Sequence, residues 1–213
     1  MVKPNERPRN HPSSLGFQKT LESIGPLPNS VINPVLVITS GLPGTGKSYL
    51  SRQLSELVPL AIVESDGIRK NLFHSPTYSL SESRYLFHQI HKVLNELLSR
   101  GISVFLDATN LREANRRKLY TITDVQYYKL ILLHLTAPPN LVRDRLNKRS
   151  LDPNRNDHSD ANWNVYLRMR RQVDPIRRRH YTIDTSNDIT NVVIRIADEI
   201  QKGLHARNEK IFP

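Results

Sequence analysis

The sequence predicts an α/β fold in which a five-stranded parallel sheet lies between helices. Short apolar segments rich in β-branched residues alternate about five times with longer helical segments. That alternation is typical of parallel strands joined by crossover helices, which cover both faces of a sheet. The first apolar segment, residues 35–39, has the continuous apolar character of a strand buried on both faces, and a glycine-rich loop follows it.

The predicted elements follow one another with short connections. The strands are expected over residues 35–39, 60–63, 102–106, 129–135 and 181–184. The helices are expected over residues 48–57, 81–100, 112–124, 140–148, 160–173 and 189–201. The helix over 81–100 has the clearest pattern, with an apolar stripe formed by Leu86, Ile90, Val93, Leu94 and Leu97. Gly101 then ends it, as glycine commonly does after a last helical turn.

The chain has 213 residues, enough for one α/β domain with a short extension. We expect that domain over residues 31–213. Five prolines break up residues 1–30, which we predict to be a flexible basic tail with at most a short helical turn near 17–24. The sequence lacks an apolar run of membrane-spanning length and a signal peptide, so we expect a cytoplasmic protein without a membrane partner. The absence of cysteine excludes disulfides, thiolate metal ligands and cysteine nucleophiles.

The charge is strongly basic, with 31 Lys and Arg against 20 Asp and Glu and a net charge of +11. A basic chain is suited to phosphate-rich ligands, nucleic acid among them. Alternatively, the arginines only solvate helix faces. The same two interpretations apply to an arginine-rich run that comprises Arg168, Arg170, Arg171, Arg177, Arg178 and Arg179.

The loop after the first strand fits the phosphate-binding pattern G-x-x-x-x-G-K-S. It consists of Gly41, Leu42, Pro43, Gly44, Thr45, Gly46, Lys47 and Ser48. Its backbone amides and the start of the next helix are predicted to surround an anion. Lys47 would reach the β- and γ-phosphates of ATP, and Ser48 would supply a hydroxyl ligand to Mg²⁺. We also expect Tyr49 and Arg145 to contact the nucleotide.

Two aspartates follow later strands, where ligands bind in open α/β sheets. Asp66 comes after the second strand and Asp107 follows the third. Asp66 is the candidate general base for a hydroxyl acceptor, and Asp107 is a candidate catalytic residue and Mg²⁺ ligand. Each has an alternative interpretation as a helix N-cap; for Asp66 that helix would begin at Gly67.

Basic residues precede a polar segment that has the composition of a mobile lid, at about 149–160. Arg145 and Arg149 are four residues apart, so they share one face of the predicted helix. Arg149 is the candidate for stabilising charge on a transferring phosphoryl group. The alternative is a solvated basic face.

The region from 35 to about 184 resembles the AAA-type P-loop kinase family. That family is related to the 5′-hydroxyl kinase domain of phage polynucleotide kinase and, more distantly, to zeta toxins and chloramphenicol phosphotransferase. The stretches that resemble it are 41–48, 65–69, 107–110 with 116–117, 145–149, and 159–161 leading to Tyr166.

The resemblance implies a five-stranded core with an arginine-bearing lid, and it implies roles. Asp66 is the general base, Arg69 contacts the acceptor or its phosphate, Asp107 supports the phosphate site, and Arg149 clamps the phosphates. The sequence departs from the polynucleotide kinase pattern at Gly67, where that pattern has a second acid. The resemblance therefore supports the reaction more firmly than the substrate.

Together these features predict an ATP- and Mg²⁺-dependent kinase. The acceptor would be a hydroxyl group of a small molecule or of a nucleic-acid 5′ end. The alternative is a nucleotide-binding ATPase or regulatory module without a phosphoryl acceptor.

Overall fold

The computed structural model describes residues 12–151 and 159–205. The strands are β1 (Val35–Ser40), β2 (Ala61–Glu64), β3 (Val104–Asp107), β4 (Lys129–Thr136) and β5 (Tyr181–Asp184). The helices are α1 (Pro12–Glu22), α2 (Lys47–Leu57), α3 (Ser65–Leu72), α4 (Leu80–Ser99), α5 (Glu113–Gln126), α6 (Pro139–Leu151), α7 (Trp163–Arg170) and α8 (Thr190–His205). Within these ranges no helix has the length and apolar character needed to cross a membrane.

The five strands form one parallel sheet in the order β2-β3-β1-β4-β5, which confirms the predicted fold class. β1 lies in the centre of the sheet, and all six of its residues are buried. Because every strand runs the same way, the carboxyl ends of all five meet at one edge, which we call the carboxyl edge. The segments that follow β1, β2, β3 and β5 therefore start close together.

Alternate residues of β1 face the two halves of the core. Leu36 and Ile38 belong to the cluster that includes α4 and α5, whereas Val35 and Val37 belong to the cluster that includes α2 and α8. Burial on both faces explains why the strand contains no polar residue before Thr39. The core thus fixes the point where β1 ends and the glycine-rich loop begins.

The prediction of a flexible tail over residues 1–30 is wrong for residues 12–30, the part that the structure describes. α1 packs against α3 and α4. Phe17, Leu21, Ile24 and Leu27 pack on the core. The first three recur at helical spacing, so they form an apolar stripe that the prolines on either side do not interrupt. Residues 1–11 lie outside the described residues.

Other predicted boundaries differ at helix ends. The helix predicted over 160–173 begins only at Trp163, because the Asn162 side chain accepts a hydrogen bond from the Val165 amide (3.1 Å) and caps it. α3 is an additional helix directly after β2. Residues 152–158, the central part of the expected lid at 149–160, lie outside the described residues.

Arg116 joins the segment after β3 to the segment before β5. Its side chain is fully buried, and its Nε donates to Glu113 (2.7 Å). The other guanidinium nitrogens donate to four backbone carbonyls, those of Asn110, Leu111, Asp174 and Pro175. Five bonds satisfy all the donors of a buried guanidinium, so the charge is kept without an orphaned N–H.

We predict that Arg116→Ala lowers the free energy of unfolding by about 3 to 5 kcal/mol, because Glu113 and four carbonyls would lose a buried cationic partner. Urea unfolding followed by circular dichroism measures the change. Arg117→Ala is the matched control, because Arg117 is exposed on the same helix. A loss below about 1 kcal/mol for Arg116→Ala would contradict this role.

Candidate active site at the carboxyl edge

The glycine-rich loop connects β1 to α2 at the centre of the carboxyl edge. Gly44 and Gly46 adopt left-handed backbone conformations, with φ of 79° and 86°. A side chain at either position would be strained, and a Cβ on Gly44 would lie 2.9 Å from Cγ1 of Val142. The glycines therefore allow a turn that residues with side chains could not make without displacing α6.

The loop presents backbone amides at the start of α2. Among the described residues, the amides of Gly44, Gly46 and Ser48 donate to no protein acceptor. The Lys47 ammonium group donates across the loop to the Leu42 carbonyl (3.0 Å). Unpaired amides at a helix N-terminus, with an ammonium group beside them, form a site for an anion such as a phosphate group.

The segment after β3 braces the base of this loop. The Gly41 amide donates to the Thr109 carbonyl (3.0 Å). The buried Asn110 side chain donates to the Thr39 carbonyl (2.8 Å), and the Ser40 hydroxyl donates back to the Asn110 carbonyl (3.1 Å). Asn110 has a φ of 42°, a conformation that asparagine tolerates better than most residues. These contacts fix the loop relative to β3.

Thr185, which sequence analysis missed, ties the loop to β5 and α6. Its hydroxyl donates to the Thr45 carbonyl (3.1 Å) and accepts a hydrogen bond from Arg145 (2.9 Å). Arg145 also donates to the Thr185 carbonyl (2.6 Å) and more weakly to that of Gly44 (3.4 Å). The signal in the sequence was a hydroxyl residue directly after the last strand, at the edge where the loop lies.

Asp107 is the last residue of β3, the strand next to β1 and its glycine-rich loop. It is 5% exposed and pairs in register with Glu64 at the end of β2. Its N-cap interpretation is wrong, because α5 begins only at Glu113 and Arg112 occupies the cap position. A buried carboxylate at this edge, with the half-buried Ser48 at the start of α2, provides the oxygen ligands that Mg²⁺ prefers.

Asp66 lies in the first turn of α3 and is half-buried. The helix begins at Ser65 with Glu64 in the cap position, so the interpretation of Asp66 as the cap of a helix starting at Gly67 is also wrong. With capping excluded, Asp66 is a partly accessible carboxylate one strand further from the loop than Asp107. This position leaves it available to a second substrate.

Arg69 is held by the protein in a way the sequence did not indicate. Its guanidinium is buried and donates to the buried carboxylate of Glu82 and, at 3.3 Å, to the Ser83 hydroxyl. The guanidinium carbon also lies 4.8 Å from the centre of the Tyr78 ring. The expected role of Arg69 in contacting the acceptor stays a prediction, whereas its contacts with α4 and Tyr78 are observed.

Glu82 is the anionic partner in this arrangement. Burial alone would raise the pKa of Glu82, but hydrogen bonds from the hydroxyl and amide of Thr77 and from Arg69 outweigh it and lower the pKa to about 2. The carboxylate is therefore ionised at neutral pH and balances the Arg69 charge. The pair fixes the connection between α3 and α4.

Tyr78 projects from that connection near Asp66. Its φ is 55°, an uncommon conformation for an aromatic residue, and its side chain is partly exposed. The phenol donates to Asp160 (3.0 Å), to which the Lys70 ammonium group also donates (2.9 Å). Burial, the Asp160 hydrogen bond and the nearby Asp66 charge raise the pKa of Tyr78 to about 12, so the phenol stays protonated. Tyr78 thus links α3 to the residues that precede α7.

The remaining predicted residues lie around the loop. Arg145 and Arg149 are both partly buried on α6, and Arg149 donates to the Ala161 carbonyl, which brings the end of α6 to the start of α7. Tyr49 is exposed on the first turn of α2. The structure places Asp107 on the strand next to the loop and Arg145 against the loop from α6, while Asp66, Arg69 and Tyr78 form a separate group one strand beyond Asp107.

Comparison with known proteins agrees with this geometry. The family model described as AAA domain matches residues 36–176, more than half of the chain. The chain belongs to the AAA domain family. The matched region of this AAA domain protein includes the phosphate-binding loop, both aspartates and α6.

Individual relatives of this AAA domain protein are kinases by name. L-seryl-tRNA(Sec) kinase of Methanococcus maripaludis is 25% identical over 193 residues, which cover 83% of this chain and 71% of the relative. A sugar kinase from Janibacter sp. HTCC2649 superposes with a TM-score of 0.60 at 12% identity, over 82% of this chain and 99% of that one. The APS kinase of Mycobacterium tuberculosis in complex with AMPPNP and APS superposes with a TM-score of 0.58 at 14% identity, over 79% of this chain and 98% of that one. The fold is therefore a kinase-like P-loop fold.

We predict that Glu82→Gln lowers the free energy of unfolding at pH 7 by about 1.5 to 3 kcal/mol, because charged hydrogen bonds to Arg69 and Thr77 are lost. Since folding lowers the pKa of Glu82, its contribution is fully present above about pH 4.5 and is lost as pH falls toward 2. Denaturant titrations of the wild-type protein and of Glu82→Gln at several pH values from 7 to 3.5 should show that the difference between their free energies of unfolding becomes smaller as the pH falls. A difference that does not change with pH would contradict this assignment.

Proposed function

We propose that this protein is an ATP-dependent kinase that transfers the γ-phosphoryl group to a hydroxyl group of a second substrate. The observation that carries the proposal is the position of two carboxylates relative to the phosphate-binding loop. Asp107 lies on the strand adjacent to the loop, whereas Asp66 lies one strand further away and is partly accessible. An ATPase needs only the first of these positions, whereas a kinase also needs an acceptor site.

The loop supplies the nucleotide site. The amides of Gly44, Gly46 and Ser48 would bind phosphate oxygens, and the Lys47 ammonium group would move from the Leu42 carbonyl to the β- and γ-phosphates. Arg145 lies at the loop through its bond to Gly44, and Tyr49 lies on the exposed side of α2 next to it. In this proposal the main role of Arg145 is to position the loop through its hydrogen bonds to the carbonyls of Gly44 and Thr185, and neutralising phosphate charge is secondary.

Mg²⁺ fits the oxygen donors at this edge. The Ser48 hydroxyl and the Asp107 carboxylate would hold it, and when bound it would draw charge from the phosphate oxygens. The buried position of Asp107 beside the loop supports this assignment.

The acceptor site lies between α3 and the connection to α4. Asp66 would accept the proton of the acceptor hydroxyl while the hydroxyl oxygen forms a bond to the γ-phosphorus. The bond between that phosphorus and the bridging oxygen breaks at the same time, and ADP leaves. Tyr78 would form one wall of the acceptor site, held by Arg69 and Asp160.

Arg149 would stabilise the charge that spreads over the transferring group. Its contact with the Ala161 carbonyl places it where α6 meets the segment before α7. The names of the relatives support phosphoryl transfer as the reaction: the M. maripaludis relative is a kinase that by name acts on a seryl-tRNA, and the APS kinase structure contains AMPPNP.

We predict that Lys47→Ala abolishes phosphoryl transfer and weakens ATP binding by about 10- to 100-fold, because a charged hydrogen bond to phosphate is lost. Isothermal titration with Mg-AMPPNP measures the affinity. Lys118→Ala is the control, since Lys118 is exposed on α5. Unchanged affinity in Lys47→Ala would place the nucleotide elsewhere.

We predict that Asp66→Asn lowers kcat by about 10² to 10⁴ and leaves ATP affinity within about twofold, because the change removes a proton acceptor without touching the loop. Transfer of label from ATP to a panel of sugars, nucleosides and 5′-hydroxyl oligonucleotides gives the activity. Asp198→Asn is the control, since Asp198 is exposed on α8, across the sheet from α3.

Two outcomes would contradict the proposal. Near-normal turnover in Asp66→Asn would remove Asp66 from the reaction. Release of inorganic phosphate that no acceptor in the panel suppresses or diverts would favour an ATPase or regulatory module.

A further inference from the structure

Five exposed arginines lie on α7 and the connection from α7 to β5. They are Arg168, Arg170, Arg171, Arg177 and Arg179, and we call them the arginine surface. Twelve residues thus carry five guanidinium groups at the protein surface. So many like charges repel one another unless acidic side chains lie nearby. Whether the arginine surface has acidic partners therefore decides between a solvated face and a binding site for an anion.

Acidic partners are lacking in the described part of the chain. Asp174 is the one acidic residue between residues 163 and 180. Its carboxylate accepts a hydrogen bond from the Glu113 amide (3.0 Å) and pairs with the Nε of Arg112 (3.3 Å). Asp124 pairs with Arg178, which lies between two members of the surface but is itself partly buried. None of the five arginines makes an ion pair within residues 12–151 and 159–205.

Internal contacts fix the arginine surface beside the phosphate-binding loop. The buried Tyr166 of α7 packs with Val142 and Leu146 of α6, and Leu42 of the loop packs against the same cluster. α7 therefore packs on the same cluster as Leu42 of the loop, and Arg168, Arg170 and Arg171 are exposed at its C-terminal end. One end of the surface thus lies on a helix that is anchored next to the loop.

The other end of the surface is fixed to the segment after β3. The Asp174 amide donates to the Leu111 carbonyl (3.0 Å), and the buried Arg116 holds the carbonyls of Asp174 and Pro175. Arg177 and Arg179 follow directly. The surface therefore extends from α7 toward the start of β5, on a connection that Arg116 holds in place.

The group formed by Asp66, Arg69 and Tyr78 is joined to the same surface. Asp160, three residues before α7, accepts hydrogen bonds from Lys70 of α3 and from Tyr78. α3 carries Asp66, so these contacts connect the start of α7 to the helix of the proposed base. A long acceptor with its hydroxyl at Asp66 would therefore continue from α3 toward α7.

We propose that the arginine surface binds the phosphate backbone of a nucleic-acid strand whose terminal hydroxyl is the phosphoryl acceptor. This inference rests on the proposed kinase function and names its substrate class. Arginine suits this ligand because its planar fork donates two hydrogen bonds to one phosphate. An anionic membrane fits less well, because the apolar residues exposed among the arginines are limited to Leu167 and Val173 in the described chain.

The test is binding of 12-nucleotide RNA and DNA single strands with a 5′-hydroxyl and a 3′ fluorophore, in the presence of Mg-AMPPNP. Fluorescence anisotropy gives affinity at several salt concentrations. We expect log K to fall with log salt by about 0.7 for each phosphate contact. The triple variant Arg168→Glu, Arg171→Glu, Arg177→Glu should bind at least about 30-fold more weakly, with a salt slope smaller by about 2.

The matched control is the triple variant Arg52→Glu, Arg100→Glu, Arg195→Glu, which removes the same charge from exposed residues on other elements. It should lose less than about threefold in affinity. Mg-AMPPNP affinity should be unchanged in both triple variants, which shows that they are folded. Comparing the RNA and DNA arms identifies which strand the surface prefers.

Three results would overturn the inference. The first is an equal loss of oligonucleotide affinity in both triple variants, and the second is an unchanged salt slope in the variant of Arg168, Arg171 and Arg177. The third is binding to phosphatidylserine vesicles that depends on these three arginines when oligonucleotide binding does not. Failure of the kinase proposal has a different signature. Oligonucleotide binding that depends on the arginine surface, without phosphoryl transfer, would contradict the kinase proposal. Phosphoryl transfer to a small alcohol, together with oligonucleotide binding that does not depend on the arginine surface, would contradict only the assignment of that surface.

Discussion

The geometry of the glycine-rich loop, with backbone amides that have no protein acceptor, is the constraint on which the proposed function depends. Unpaired amides at Gly44, Gly46 and Ser48 cost free energy in a compact protein unless water or a ligand satisfies them. The surroundings keep them in place: β1 fixes where the loop starts, and Thr185 holds it from β5. Much of the carboxyl edge serves to keep one short turn rigid.

A second group of contacts, around Asp66, Arg69 and Tyr78, depends on different interactions. The phosphate-binding loop uses backbone dipoles and one ammonium group, whereas the connection between α3 and α4 uses a buried ion pair between Arg69 and Glu82. A buried ion pair adds little net stability, but it fixes geometry because each partner is costly to leave unpaired. It holds Tyr78 in a strained conformation near Asp66. Two rigid groups separated by one strand would suit the two substrates of the proposed kinase.

The sequence predicted the sheet and the position of the glycine-rich loop well, because both depend on local patterns. The strands predicted to end at Thr39 and Leu106 end one residue later, at Ser40 and Asp107. It did not predict α1, whose stripe is short and flanked by prolines, or the network of Thr185, which joins residues 140 positions apart. The partner of Arg69 was equally hidden, because Glu82 has no local feature that separates it from a surface acid. Contacts of this kind depend on tertiary packing, which spacing does not encode.

The most direct measurement of the central claim is an amide NMR titration of ¹⁵N-labelled protein with Mg-AMPPNP. The account predicts that the amide signals of Gly44, Gly46 and Ser48 show the largest shifts and saturate together, because these groups gain phosphate oxygens as acceptors. The signals of Lys129 and Leu130, at the start of β4 and therefore at the opposite end of the sheet from the loop, should move little. Saturable binding with unchanged loop amides, or no binding of any Mg-nucleoside triphosphate, would contradict it.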